Sequence, residues 1–142
     1  MLESLQHRVI ALLEEKNNHK VILDIGCGPS KHIRSIGIDF LPYNGVDLVG
    51  DVYSMLCEFP DKSIDYLYTK HFLEHVNDLD LLVCEFCRVL KNDSRAEIIV
   101  LLAILTSIPI ILIKGILVFI ASANILFLEI YLSERSRHIC VN

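Results

Sequence analysis

No tryptophan occurs in the 142 residues, although 53% of them are apolar, a high fraction for a soluble domain of this size. The apolar excess sits almost wholly after Glu97. Cations are also few: 13 Lys and Arg against 18 Asp and Glu leave a formal charge of -5, without the clustered basic excess that phosphate backbones require. No nucleic-acid partner is therefore expected. A basic, apolar leader is missing from the start of the chain, which reads as a polar amphipathic helix instead. The five cysteines (Cys27, Cys57, Cys84, Cys87 and Cys140) are an odd number, which does not form a complete disulfide framework. These features predict a reducing, cytoplasmic setting. The length predicts one domain, because single cores usually form from roughly 100 to 200 residues.

Leu2, Leu5, Val9, Leu12 and Leu13 recur at helical spacing, with Glu3, Arg8, Glu14, Glu15 and Lys16 on other faces, so a short amphipathic helix ending near Asn17 is predicted. Lys20-Val21-Ile22-Leu23-Asp24-Ile25 is then a β-branched apolar run entering Gly26-Cys27-Gly28-Pro29, as a buried parallel strand running into a tight loop does. Ser35-Ile36-Gly37-Ile38-Asp39 and Val46-Asp47-Leu48-Val49-Gly50-Asp51 repeat the pattern of apolar residues closing on an acid. Ser63-Ile64-Asp65-Tyr66-Leu67-Tyr68 gives a fourth strand. Leu82, Val83, Phe86, Val89 and Leu90 mark a helix over residues 79–90, Asn92-Asp93-Ser94 breaks it, and a fifth strand covers residues 96–100. Strands interleaved with helices or loops predict a mostly parallel α/β sheet, whose ligand crevice lies beyond the carboxyl ends of the strands. Three acids, Asp24, Asp39 and Asp51, fall at those ends.

Asp24-Ile25-Gly26-Cys27-Gly28 has two of the three glycines of a dinucleotide loop, and a pair of glycines alone is a weak signal. Its context strengthens it. Glycines at a strand end let the backbone turn sharply and approach a ligand, and an acid just before them accepts hydrogen bonds or meets a cation. An acid closing the second strand is placed for ribose hydroxyls. Asp51, closing the third, is placed to accept from an adenine amino group.

With these parts in order, the sequence resembles the class I, Rossmann-like S-adenosylmethionine-dependent methyltransferases, and within them the small type 11 group. The resemblance covers residues 20–100 and runs through Val21-Ile22-Leu23-Asp24-Ile25-Gly26-Cys27-Gly28, Gly37-Ile38-Asp39, Gly50-Asp51, Phe59-Pro60-Asp61-Lys62-Ser63-Ile64-Asp65, His71-Phe72-Leu73-Glu74-His75-Val76 and Arg88-Val89-Leu90-Lys91. It implies S-adenosyl-L-methionine as cofactor, a small-molecule methyl acceptor, and cofactor contacts from Asp24, Gly26, Cys27, Gly28, Asp39, Asp51 and His71. Within that set the glycine loop would touch the methionine part, Asp39 the ribose and Asp51 the adenine, with His71 lining the cofactor or substrate side. No catalytic residue and no metal site is identified. Two departures stand out. Residues 29–34 hold at most a turn or so where the family fits a full helix, so Asp39 is expected to approach the ribose differently. Lys91-Asn92-Asp93-Ser94 replaces the usual Lys-Pro-Gly-Gly, which Asn and Asp partly replace by tolerating left-handed backbone.

The ending departs further. From Ile98 to Leu128 the only formal charge at neutral pH is Lys114, and a membrane helix needs about 20 apolar residues. Residues 1–100 are accordingly read as a cofactor-binding core and residues 101–142 as a hydrophobic, helical tail following an incomplete sheet of about five strands. Two origins are open for that tail. Residues 98–128 form a membrane segment, giving a membrane-associated protein; or the tail is a frameshift product, since a family-like Val-Pro-Phe-Ser-Asn-Pro-Tyr-Phe-Tyr-Ser-Asp, suitably coded and read one nucleotide out of frame, yields Val100 through Ile110 as they stand. In either case the rival to an active methyltransferase is an inactive cofactor-binding remnant without its substrate wall.

His71 and His75 flank Glu74 at helical spacing, which would suit two metal ligands, but no third ligand is evident in the sequence. Cys84 and Cys87 share the spacing of a redox or zinc half-site, yet lie inside an amphipathic helix without a second pair, where core packing is the better reading.

Overall fold

A computed structural model of the chain describes residues 4–16, 18–101, 118–122 and 125–131, with side chains described up to Val100. Helix α1, Leu5–Glu15, starts at Ser4, whose hydroxyl accepts from the His7 N–H at 3.3 Å, as a serine N-cap does. The apolar runs then become β1 (Ile22–Ile25), β2 (Ile36–Asp39), β3 (Leu48–Val49), β4 (Ile64–Lys70) and β5 (Leu90–Leu101). Helix α2 (Val52–Cys57) joins β3 to β4, and helix α3 (Leu79–Val89) joins β4 to β5. The short α2 carries too few residues to announce itself by periodicity in the sequence.

The strand order is β3-β2-β1-β4-β5-β7-β6, with the first five parallel. Strand β1 lies between β2 and β4, so the chain leaves it in one direction and later returns on its other side. A crevice at the carboxyl end of such a reversal is where open α/β sheets bind ligands.

The register explains which residues form the core. Leu23 pairs with Ile36 and Leu67, Ile25 with Ile38 and Thr69, and Leu67 with Ala96. Side chains alternate along a strand, so these residues share one face, and every one of them is buried. Val52, Met55 and Leu56 of α2 and Leu82, Phe86 and Val89 of α3 join that core, together with Val9 of α1. The opposite face carries Ile22, Asp24, Gly37, Asp39, Tyr66 and Tyr68, and here Ile22, Tyr66 and Tyr68 stay half-buried. Parallel sheets are ordinarily covered on both sides. This one is uneven because residues 26–35 and 40–47 connect β1 to β2 and β2 to β3 without a helix.

The β1–β2 connection compensates with polar pins. Lys31 donates to Asp47 at 2.7 Å, and the same Asp47 oxygen accepts from the Gly37 N–H at 2.7 Å. The His32 N–H donates to Asp24 at 2.7 Å, and the His32 ring sits 5.0 Å from that of Tyr68. Residues 29–34 thus form turns and no helix, as their number predicts, and β2 keeps its register with β1.

Two sequence expectations are corrected. Strand β5 begins at Leu90, before the predicted break, because Asp93 takes a left-handed φ of 60° and the strand bulges: Ile64 pairs with Leu90 but Tyr66 with Arg95. An extra stretch in one strand with one residue in that conformation is how a bulge keeps a ladder going. The helical tail is also revised, since residues 118–122 (β6, Val118–Ser122) and 125–131 (β7, Ile125–Tyr131) are strands, β7 antiparallel to β5 and β6 antiparallel to β7. The five parallel strands that the sequence predicts are thus present, and β7 and β6 extend them, antiparallel, to a described sheet of seven. Apolar runs without a period fit helix and strand alike, and the unpaired edge of β5 decides between them. Among the described residues no helix is long and apolar enough to cross a membrane; the remainder of the expected span, residues 102–117 and 123–124, lies outside the described residues.

Candidate functional site

The glycine loop after β1 is shaped by its backbone. Gly26 and Gly28 have φ of 66° and 55°, values that disfavour any side chain. The Gly26 and Cys27 N–H groups donate to the Ile38 carbonyl at 2.9 and 3.2 Å, which folds the loop back against β2. Gly28 N–H then donates to an Asp39 carboxylate oxygen at 2.8 Å, and the other oxygen accepts from Leu41 N–H at 2.9 Å. Asp39 is thereby fixed at the end of β2 with lone pairs left on both oxygens, since each can accept more than one bond. The shortened β1–β2 connection has not displaced this acid from the loop.

Asp51 follows β3 and caps α2, one oxygen accepting from the Ser54 N–H and hydroxyl at 2.9 and 3.0 Å. Gly50 N–H donates to the Asp39 carbonyl at 2.9 Å, so the ends of β2 and β3 are tied together. Tyr53, on the first turn of α2, donates its hydroxyl to the Asp78 carbonyl and accepts from the Asp78 N–H. That phenol joins α2 to the start of α3.

These elements enclose a cleft of about 180 Å³ at the carboxyl ends of β1, β2 and β3, lined among others by Gly26, Asp39, Phe40, Asp51, Tyr53 and Phe72. Of the seven residues singled out from the sequence, Gly26, Asp39 and Asp51 line it. Asp24, Cys27, Gly28 and His71 do not. Asp24 is 2% exposed, and burial raises its pKa from the ordinary carboxylate value, opposed by the His32 N–H; it acts on the loop from beneath. Cys27 is buried beside Asp24 and Asp39, and burial together with those charges pushes its thiol up to about 12. It is a protonated packing group at neutral pH, not a nucleophile. His71 has a left-handed φ of 55°, donates its N–H to the Ile99 carbonyl at 2.7 Å, and turns its ring toward Glu74, 3.9 Å away.

Phe40, Tyr53, Phe72 and His75 also line the cleft and were not predicted as cofactor ligands. Phe40 is 73% exposed, an unusual position for a phenylalanine, and its place directly after Asp39 was the only signal of it in the sequence. Phe72 packs against the loop where a Gly26 side chain would stand, a Cβ there falling 2.4 Å from one ring carbon. The cleft is smaller than the roughly 300–1,000 Å³ usual for small-molecule sites, and Phe72 narrows it at Gly26.

A wider hollow of about 600 Å³ opens at the amino ends of β1, β4 and β5, lined by Lys20, Asp65, Tyr66, Lys91 and Arg95 among others. Several of its polar groups are already engaged: Lys91 with Asp65 at 2.8 Å, Tyr66 with Glu97 at 2.6 Å. The smaller cleft, at the carboxyl ends, is the functional candidate.

The sequence matches a family described as a methyltransferase domain over residues 1–141. The chain belongs to that methyltransferase family. The match names a methyltransferase domain and not the type 11 group. No curated protein is significantly similar to the sequence. Among solved structures, a SAM-dependent methyltransferase from Archaeoglobus fulgidus is 24% identical with a TM-score of 0.51, aligned over 68% of this chain and 52% of its own. An S-adenosyl-L-methionine-dependent methyltransferase structure from Methanococcus maripaludis is 15% identical with a TM-score of 0.59, aligned over 91% of this chain and 86% of its own. At such identities the likeness is one of fold, the class I methyltransferase fold. The chain spans about half the length of the Archaeoglobus protein that it matches.

Proposed function

We propose that this methyltransferase binds S-adenosyl-L-methionine in the cleft over β1, β2 and β3 and transfers its methyl group to a small-molecule acceptor. The observation that carries the reading is the convergence of Gly26, Asp39 and Asp51 on one cleft at the carboxyl edge of a parallel sheet. The residues fit the cofactor. Gly26 lacks a side chain where Phe72 packs against it, and its backbone still borders the cleft, where the amino-acid end of the ligand would lie. Asp39, held by two N–H groups, offers its remaining lone pairs to the ribose diol. Asp51 accepts from the adenine amino group, and the exposed ring of Phe40 gives the purine an apolar wall. Bound there, the cofactor supplies an activated methyl on a sulfonium, so the protein has mainly to position the two reactants and exclude water. No base is required for that, and none is assigned.

Asp24 and His71 support the loop and the end of β4 from outside the cleft, and the Cys27 thiol packs the loop against β2. We place the cofactor-binding core in residues 1–100, with the strands beyond it closing the sheet. A small acceptor is in keeping with the net charge of -5, which disfavours a polyanionic substrate, and a reducing, cytoplasmic setting with the odd count of five cysteines.

Isothermal titration of the full chain with S-adenosyl-L-methionine tests the reading. Saturable binding is expected, weakened roughly ten- to a hundredfold by Asp39→Ala, the loss of hydrogen bonds to a charged group. A wild-type chain that folds and takes up no cofactor at millimolar concentration would sink it. Transfer of labelled methyl to a panel of phenols, amines and thiols would then identify the acceptor class.

A further inference from the structure

We infer that Lys31 is a positioning residue of the cofactor site: its tie to Asp47, drawn across β2 at Gly37, stands in for a helix between β1 and β2 and holds Asp39 against the glycine loop. This rests on the cofactor reading above and adds to it a residue outside the cleft through which the cleft keeps its shape. Residues 26–35 contain no helix to press the end of β2 into place. Lys31 instead lays its stem over β2, its Cδ and Cγ standing 2.5 and 3.1 Å from where a Gly37 Cβ would be. A side chain at position 37 would meet that stem. The apolar stem covers the strand on the face that the connection leaves without a helix, and the ammonium at its end reaches beyond, as long cationic side chains do.

The tie begins a run of contacts that ends at Asp39. The ammonium donates to one Asp47 oxygen at 2.7 Å, and that oxygen accepts from the Gly37 N–H at 2.7 Å. The Asp47 N–H donates in turn to the Gly37 carbonyl at 3.0 Å, so Asp47 grips Gly37 by both its N–H and its carbonyl. The next residue, Ile38, accepts from the Gly26 and Cys27 N–H groups of the loop. Asp39 follows it and accepts from Gly28. Residues 37 to 39 are consecutive, so releasing Gly37 loosens both acceptors that hold the loop. The Lys31 and Asp47 side chains are 24% and 26% exposed, which shields the pair in part from water and salt. Burial raises the pKa of Asp24, and of the charges around that acid His32 and Lys31 oppose the rise while Asp39 adds to it; the same ammonium thus sits among the acids at the strand ends.

Amide hydrogen exchange of the full chain, read residue by residue by NMR, tests the tie without any ligand. In Lys31→Met, which keeps an apolar stem and removes the ammonium, the Gly26, Cys27 and Gly28 amides should exchange roughly three- to thirtyfold faster, while those of Phe86 and Val89 in α3 keep their wild-type rates. Asp47→Asn keeps an oxygen for Gly37 and loses the charge; it should do the same, and the double substitution should add little to either, since both remove one contact. Titration with S-adenosyl-L-methionine should show binding weakened roughly three- to tenfold in each variant, with Lys31→Arg, which keeps the charge, close to wild type. Unchanged exchange in the loop, faster exchange spread evenly over α3 as well, or a loosened loop with cofactor affinity untouched each overturns the inference while the cofactor reading stands. A wild type that takes up no cofactor removes the cofactor reading, and this inference with it.

Discussion

Asp24 ends β1 almost wholly buried, its carboxylate braced by the His32 N–H. Burial holds its pKa above the ordinary value of 3.8, so folding disfavours its ionised form. The stability linked to its proton is fully present below that ordinary value and is lost as pH rises through the raised folded value. Asp24→Asn removes the charge and leaves an oxygen for His32. Its stability relative to wild type, read by urea denaturation, should therefore improve from pH 3 to pH 7; a difference that stays flat, or worsens, contradicts the burden assigned to this acid. The glycines and acids of the loop were legible in the sequence because strand ends marked by acids have fixed spacing. Phe40, Tyr53 and Phe72 were not, since one aromatic residue at a strand or helix end carries no period, and only the fold shows that the three face one cleft.

Arg88 shows how a single element is locked in place. Its guanidinium donates to the Leu56 and Phe59 carbonyls at 2.8 Å each, to Asp61 at 2.8 Å and to Glu85 at 2.7 Å. Its hydrogen bonds to Glu85, with those to the neighbouring acid Asp61, raise its pKa against the opposing effect of burial, so it stays charged throughout the pH range in which the protein folds. Helix α3 is thereby fastened to the end of α2 and to the loop entering β4. Arg88→Met leaves two carbonyls and a partly buried carboxylate without their donor, and should cost about 2–4 kcal/mol in denaturant unfolding, with Arg88→Lys recovering little because one ammonium does not reproduce the planar fork. A loss under about 0.5 kcal/mol, the size of an ordinary surface change, would show that the fork does not hold α3. At this scale the sequence disclosed α1, α3 and the five parallel strands. It hid β6 and β7, whose uniformly apolar residues match either period until the edge of β5 is available to pair with them.

The whole sheet depends on its amino-terminal edge as much as on its core. Asp65 accepts from the Val21 N–H at 2.9 Å and from Lys91 at 2.8 Å, so one carboxylate gathers the starts of β1, β4 and β5. Burial raises its pKa, but the hydrogen bonds from Lys91 and Val21 outweigh it and the net value lies below 3.8. Its contribution is present above that ordinary value and is lost as pH falls through the folded one. Acidification below about pH 4 should therefore weaken the wild-type chain more than Lys91→Met, measured by chemical denaturation between pH 2.5 and 5 at constant ionic strength. Parallel loss in the two proteins would remove Asp65 from the account of acid stability. Fold class and a crevice beyond the carboxyl ends of the strands were implied by interleaved strands ending in acids, while the spatial order of the strands came only with the structure. The uneven covering of its two faces was visible only as a short connection.

That short connection also bears on how the chain finds its shape. Only residues 26–35 separate β1 from β2, and closing a small loop sacrifices less chain entropy than closing the larger ones that bring β4 beside β1. Contacts near in sequence form sooner than distant ones. Pairing of β1, β2 and β3, separated only by residues 26–35 and 40–47, with the glycine turn bent back on Ile38, thus needs the smallest loop closures among the parallel strands, and the cleft's floor is laid before β4 and β5 arrive to enclose it.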